Sequence, residues 1–218
     1  MTGIGRLPDG LTLPPLLLRA LEEAHQEPPR AYHHFGHVRE VLAHYRDVDE
    51  GPGWERPREM FLAVLYHDAI YRPGSGDNEA KSAALARESI ARWIPDEGID
   101  EEQVARAILL TADHGTLRPQ DVTRDEAHFL DCDMAILGAD RARFDAYQRE
   151  IAQEYDHIPK AAFLEGRRAF LASVLSRPRI FLSEMFHTRL NAAARENLAR
   201  ALTPPGARSD ASPPSTSE

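Results

Sequence analysis

The stretch Phe61-Leu-Ala-Val-Leu-Tyr-His-Asp-Ala-Ile-Tyr71 decides how the chain is read. Phe61, Leu62, Val64, Leu65 and Ile70 mark a core helix, expected over about 56–71, and near its end His67 and Asp68 stand side by side. A buried ionisable pair is costly unless something nearby compensates it, and a divalent cation is the simplest compensation. Successive residues on a helix point about 100° apart, so the imidazole and the carboxylate can both reach one ion lying beside the helix. The rest of the sequence must then supply the missing ligands.

The composition allows such a core. The chain has 218 residues, 42% of them hydrophobic, and a formal net charge of -9, which suits one globular domain and calls for no second one. Arg and Glu are mixed along every segment and no basic stripe forms, which argues against a nucleic-acid polymer as partner. A single cysteine, Cys132, excludes an internal disulfide and a Cys-rich zinc site, so any metal must be held by His and carboxylate. No run reaches transmembrane length, and Met1-Thr-Gly-Ile-Gly-Arg-Leu-Pro-Asp9 lacks the apolar core of a signal peptide. A soluble, cytoplasmic protein without membrane contact is expected, and self-association into a homo-oligomer is compatible with the number of apolar helices.

Outward from the central stretch the pattern is helical almost throughout, with no repeat and no strand. After an extension over 1–13, a helix begins near Pro14-Pro15 and stops at Pro28-Pro29. The next runs over about 30–45 and carries His33 and His37 at i, i+4. Beyond the central helix, Asn78 opens another that ends near Trp93 and Pro95. Asp100-Glu-Glu-Gln103 and Thr123-Arg-Asp-Glu126 read as capping boxes opening two more. Three further helices are expected over about 140–155, 159–175 and 186–202, with an apolar link Ile180-Phe-Leu182. The helical domain thus spans 14–203, and the Pro/Ser/Thr/Ala-rich 204–218 reads as a disordered tail.

A histidine from the second helix, the His67-Asp68 pair and a distant aspartate would form a mixed N/O site for one divalent ion, Mn, Fe, Co, Ni, Zn or Mg. Asp131 and Asp133 compete for the last place. On a helical wheel at roughly 100° per residue, Asp133 falls inside the arc of Phe129, Leu130, Ile136 and Leu137, whereas Asp131 falls at its margin. Asp133 is the expected ligand and Asp131 its support. His25, His44, His157 and His187 lie in polar surroundings and are expected to be solvated, and His128 points away from Asp133.

Four ordered blocks carry a resemblance: Tyr32-His-His-Phe-Gly-His-Val38, Leu65-Tyr-His-Asp-Ala-Ile-Tyr71, Asp77-Asn-Glu-Ala-Lys-Ser-Ala83 and Phe129-Leu-Asp-Cys-Asp-Met-Ala-Ile-Leu-Gly138. Together, with Glu154-Tyr155 and Gly166-Arg167 further on, they resemble the predicted metal-dependent HD-domain phosphohydrolases over about 30–200. The resemblance implies a single-domain all-α HD-type bundle, a metal held by histidine, the His-Asp pair and a distant aspartate, and a small phosphorylated substrate. The first block is also similar to the Tyr-His-Asn-x-x-His motif of cyclic-nucleotide phosphodiesterases. Matched by position, this implies that His37 binds metal and His33 protonates the leaving oxygen. His34 stands where that motif has asparagine, which leaves the partner of His33 open, and His34 either faces solvent or lines the cleft.

The expected reaction is hydrolysis of a small phosphate ester, a nucleotide being one candidate, by water activated on an ion held by His37, His67, Asp68 and Asp133. His33 would be the general acid, Asp68 could also take the water's proton, and Glu79 either orients the nucleophile or begins a solvated helix face. Lys81, Arg87, Arg167 and Arg168 are the candidate phosphate cations. His114 either faces the cleft, as phosphate donor or second-metal ligand, or ends its helix structurally. Two other classes compete: a di-iron oxygenase of the same broad fold, which needs both His114 and His128 as ligands, and a metal- and nucleotide-binding module without turnover.

Overall fold

The computed structural model describes residues 4–203 and is all-helical, as expected; among these residues there is no strand. The expected tail over 204–218 lies outside the described residues. In order come α1 (Pro15–Ala24), α2 (Phe35–Glu50), α3 (Pro57–Tyr66), α4 (Asn78–Trp93), α5 (Glu101–Leu110), α6 (Arg124–Met134), α7 (Arg141–Glu154), α8 (Lys160–Ser176) and α9 (Glu184–Leu202). No helix among the described residues is long and apolar enough to cross a membrane.

Local chemistry sets most boundaries. Pro15 starts α1 from its first turn, where a missing N–H costs nothing. Asp100 accepts the Gln103 N–H to open α5. Thr123 and Glu126 exchange reciprocal bonds of 3.3 and 2.8 Å to open α6, a full capping box. Asp140 caps α7 through the Arg143 N–H.

Helix α1 ends at Ala24, short of Pro28-Pro29, and α2 runs on to Glu50 rather than 45; two further differences bear on function. Helix α2 starts at Phe35 rather than near residue 30, because the N–H groups of Ala31, Tyr32 and His33 are all donated to one buried carboxylate oxygen, Glu154 Oε1. His33 therefore lies in a turn ahead of the helix that carries His37, and the two do not share a helix face. Helix α3 stops at Tyr66 rather than 71. Beyond it the backbone is satisfied by side chains: Arg30 donates to the carbonyls of Asp68 and Ala69, while Ser82 Oγ accepts the Ile70 N–H and donates to its carbonyl. His67 and Asp68 thus sit on the turn that ends the helix.

Helix α3 is the central element. Every side chain from Glu59 to Tyr66 is buried, and α2, α4, α5 and α6 all pack on it. Behind this group, α9 packs on α8 and on the 3₁₀ turn at residues 135–138. The approach is close at Gly138, where a Cβ would fall 2.7 Å from Leu190 Cβ. Asn197 donates to the carbonyls of Leu137 and Ala139 at 3.0 and 2.9 Å, and the guanidinium of Arg143 ties α7 to Glu40 on α2. The expected solvation holds for His157 but not for the others: His44 and His187 are half-buried, His44 edge-on to Phe186, while His25 is wholly buried edge-on to Phe35, and burial pushes its pKa down to about 4. His25 is therefore neutral, with Nδ1–H donated to the Leu21 carbonyl.

Candidate metal centre

Three helix termini or faces converge on one point. His37 comes from the buried face of α2, His67 and Asp68 from the end of α3, and Asp133 from the end of α6. His37 Nε2 lies 3.1 Å from His67 Nε2 and 3.0 Å from Asp133 Oδ1, and His67 Nε2 lies 3.6 Å from that same oxygen. Asp68 Oδ2 is 3.1 Å from His67 Nε2 and 3.5 Å from His37 Nε2. Donors about 2.1 Å from a shared ion at tetrahedral or octahedral angles are roughly 3.0–3.5 Å apart. His37, His67 and Asp133 form a group that could hold a metal ion, and Asp68 adds a second carboxylate beside it.

The donors' own chemistry fits a cation. His67 Nδ1 lies 2.9 Å from the Val64 carbonyl, which can only accept, so Nδ1 carries the proton and Nε2 turns its lone pair toward Asp68 and His37. A lone pair facing carboxylate oxygens is repulsive unless positive charge lies between them. Burial alone would lower the pKa of His67, but Asp68 and Asp133 outweigh it and hold the imidazolium well above its ordinary value. Burial would raise the two aspartates, yet His67 holds Asp68 well below the usual range, and the facing imidazoles of His37 and His67 do the same for Asp133. The cluster stabilises positive charge where the four donors meet, and either a proton or a metal ion can supply it. His37 departs from the usual second partner of a ligating imidazole: its Nδ1 is buried without a hydrogen bond, and the ring lies 4.6 Å from that of Tyr32.

Beside the cluster stands a pair that sequence reading did not join. Glu154, fully buried at the end of α7, accepts at Oε2 from His33 Nδ1 at 2.7 Å and from the Tyr71 hydroxyl at 2.8 Å. Its Oε1 takes the backbone N–H groups of Ala31, Tyr32 and His33 at 2.8, 2.7 and 2.9 Å. Glu154 is thus the partner of His33 that His34 left open, and it leaves His33 Nε2 free. Arg30 completes the support by donating to the carbonyls of both His33 and Asp68, at 2.6 and 2.8 Å. In the sequence Glu154 stands out only within Glu154-Tyr155, and Arg30 carries no signal.

The remaining candidates divide. His33, Glu79, His114 and Asp133 line one cavity of about 650 Å³, within the usual range of small-molecule sites. His114 Nε2 is buried without a hydrogen bond, 3.5 Å from Asp133 Oδ2, and burial lowers its pKa. His34 is exposed and caps α2, its Nδ1 accepting the Gly36 N–H at 2.8 Å. Asp131 is not a support for the cluster: its two oxygens accept the N–H groups of Leu182 and Ser183 at 2.7 and 2.6 Å, tethering the link into α9. His128 lies edge-on to Trp54 and lines a separate depression, so it does not join His114 in a second metal site. Of the expected phosphate cations, Lys81 pairs with Asp77, Arg87 pairs with both oxygens of Glu102, Arg168 is exposed, and Arg167 lines the cavity.

Comparison of the chain with protein-family models, with curated proteins and with solved structures finds no match in any of the three.

Proposed function

We propose that this chain is a metal-dependent phosphohydrolase of the HD-domain kind, acting on a small phosphate ester. The observation that carries the reading is the meeting of the His37, His67, Asp68 and Asp133 donors beside a His33–Glu154 pair, with His33 and Asp133 facing the same cavity. In this reading those four residues hold one divalent ion, and two imidazoles with two carboxylates suit Mn, Fe, Co, Ni and Zn alike. When bound, such an ion supplies a more acidic water and polarises a phosphoryl oxygen. Asp68, whose side chain is 19% exposed against 2% for His67, takes the proton of the attacking water. His33 passes a proton from Nε2 to the departing alkoxide, and the buried Glu154 carboxylate holds the ring in place at Nδ1. Glu79, at the start of α4 and lining the cavity, orients the water.

The test is metal content and phosphate release measured together. Wild type, His67→Ala and Asp68→Ala are chelated mildly, reloaded with single metals and assayed on a panel of phosphate esters. Near one metal per wild-type chain is expected, lost in both variants along with hydrolysis. Turnover unchanged in the variants overturns the proposal.

A further inference from the structure

The cavity beside the donor cluster has two unlike halves. One half carries the chemistry: His33, His114, Asp133 and Glu79. The other is built from the end of α7 and the first turns of α8, and Tyr147, Ile151, Ile158, Phe163 and Phe170 make it apolar and largely aromatic. Among the described residues lining the cavity, Arg167 is the sole Lys or Arg, set against the carboxylates of Asp133 and Glu79. A polyphosphate chain would bring several negative charges to a site with one fixed cation outside the donor cluster. The amide of Asn78, which also lines the cavity, is already spent on the backbone of Arg72 and Ser75, so it reads no substrate edge.

Arg167 is built into the aromatic wall. Its guanidinium carbon lies 4.8 Å from the Tyr147 ring centroid and 5.1 Å from that of Phe170, and Nε donates to Gln148 Oε1 at 3.1 Å. This packing holds the planar group in place. Nη2 is buried and has no hydrogen-bond partner among the described residues. A buried, unpaired guanidinium N–H is costly, and a bound oxygen acceptor removes that cost.

Resting on the phosphohydrolase reading above, we propose that the cavity selects a phosphomonoester with a single phosphate and a planar, apolar aromatic body. The body lies against Tyr147, Phe163 and Phe170, and Arg167 Nη2 donates to an oxygen of the substrate. Phe163 and Phe170 offer a base edge no hydrogen bond, and the Asn78 amide is spent on the backbone, so an aryl ester is preferred over a nucleotide.

The experiment compares 1-naphthyl phosphate, glycerol 3-phosphate, AMP and ATP as substrates of the metal-loaded protein, and measures 1-naphthyl phosphate binding by calorimetry. The expected kcat/KM for 1-naphthyl phosphate exceeds those of the other three by about tenfold or more, and Phe170→Ala erodes the preference up to about tenfold. Arg167→Leu weakens 1-naphthyl phosphate binding about ten- to hundredfold, and Arg167→Lys does not restore it, because an ammonium lacks the flat stacking face. Preference for ATP, AMP or glycerol 3-phosphate, with hydrolysis intact, overturns the substrate class and leaves the phosphohydrolase reading standing. Hydrolysis of none of the four, nor of any ester in the wider panel, overturns that reading instead, and calorimetry then decides this one. Binding weakened in folded Phe170→Ala and Arg167→Leu supports it, while absent or unaltered binding overturns it.

Discussion

Replacing Glu154 by Gln removes one charge and keeps the side chain's shape. The carboxylate is fully buried, and its two oxygens accept five hydrogen bonds, three from consecutive backbone N–H groups and one each from His33 and Tyr71. Burial alone would raise its pKa, but the His33 hydrogen bond and charge, with the backbone donors, hold it at about 2 against an ordinary 4.5. At ~1.4 kcal/mol per unit, this amounts to about 3 kcal/mol of stability. Because the folded-state pKa is depressed, that stability is fully present above pH 4.5 and is lost as pH falls from 4.5 toward about 2. In Glu154→Gln the amide oxygen can still take the three backbone N–H groups, while the NH₂ faces the His33 and Tyr71 donors. Urea unfolding followed by circular dichroism should therefore show a loss of about 3 kcal/mol at pH 7, and the gap to wild type should close as pH is lowered through 4.5. Metal content should be retained, since Glu154 contacts none of the metal donors, while kcat falls by roughly tenfold or more as His33 loses its orientation. Stability within about 0.5 kcal/mol of wild type at pH 7, or a gap independent of pH, would refute the reasoning.

The two aspartates of α6 should separate cleanly. Asp131→Ala orphans the buried N–H groups of Leu182 and Ser183 and should cost about 2–4 kcal/mol while leaving metal content intact. Asp133→Ala should abolish metal uptake, so that metal at a hundredfold excess over Kd stabilises wild type by about 2.7 kcal/mol in thermal or urea unfolding and the variant not at all. Gly138→Ala would bring a Cβ to 2.7 Å from Leu190 Cβ and 3.0 Å from its carbonyl oxygen, between two packed backbones. A loss of about 1–3 kcal/mol in unfolding free energy is expected, and a neutral result would show that α9 can slide.

Local patterns made much of this molecule legible. The apolar run around Phe61 identified the central helix, the Thr123–Glu126 capping box and Asp100 marked two helix starts, and the wheel that put Asp133 with Phe129 and Leu137 picked the aspartate found beside His37 and His67. Such signals depend on residues within a turn or two of each other, where periodicity and caps act. The same logic misread His25, whose charged sequence neighbours gave no hint that it packs against Phe35. It also extended α2 back to include His33 and α3 on through Asp68, because both segments have good helical patterns in isolation.

Helix identity and the three side chains that could hold a metal ion were thus within reach of the sequence alone, because each lies on or beside an apolar arc that must turn inward. Tertiary structure alone decided how His33 is held. Glu154 meets it from 121 residues away, and Arg30 reaches Asp68 across 38. In one dimension both look like the charged faces of solvated helices. A buried carboxylate taking three consecutive backbone N–H groups can override a helical preference only after the fold has brought the two segments together.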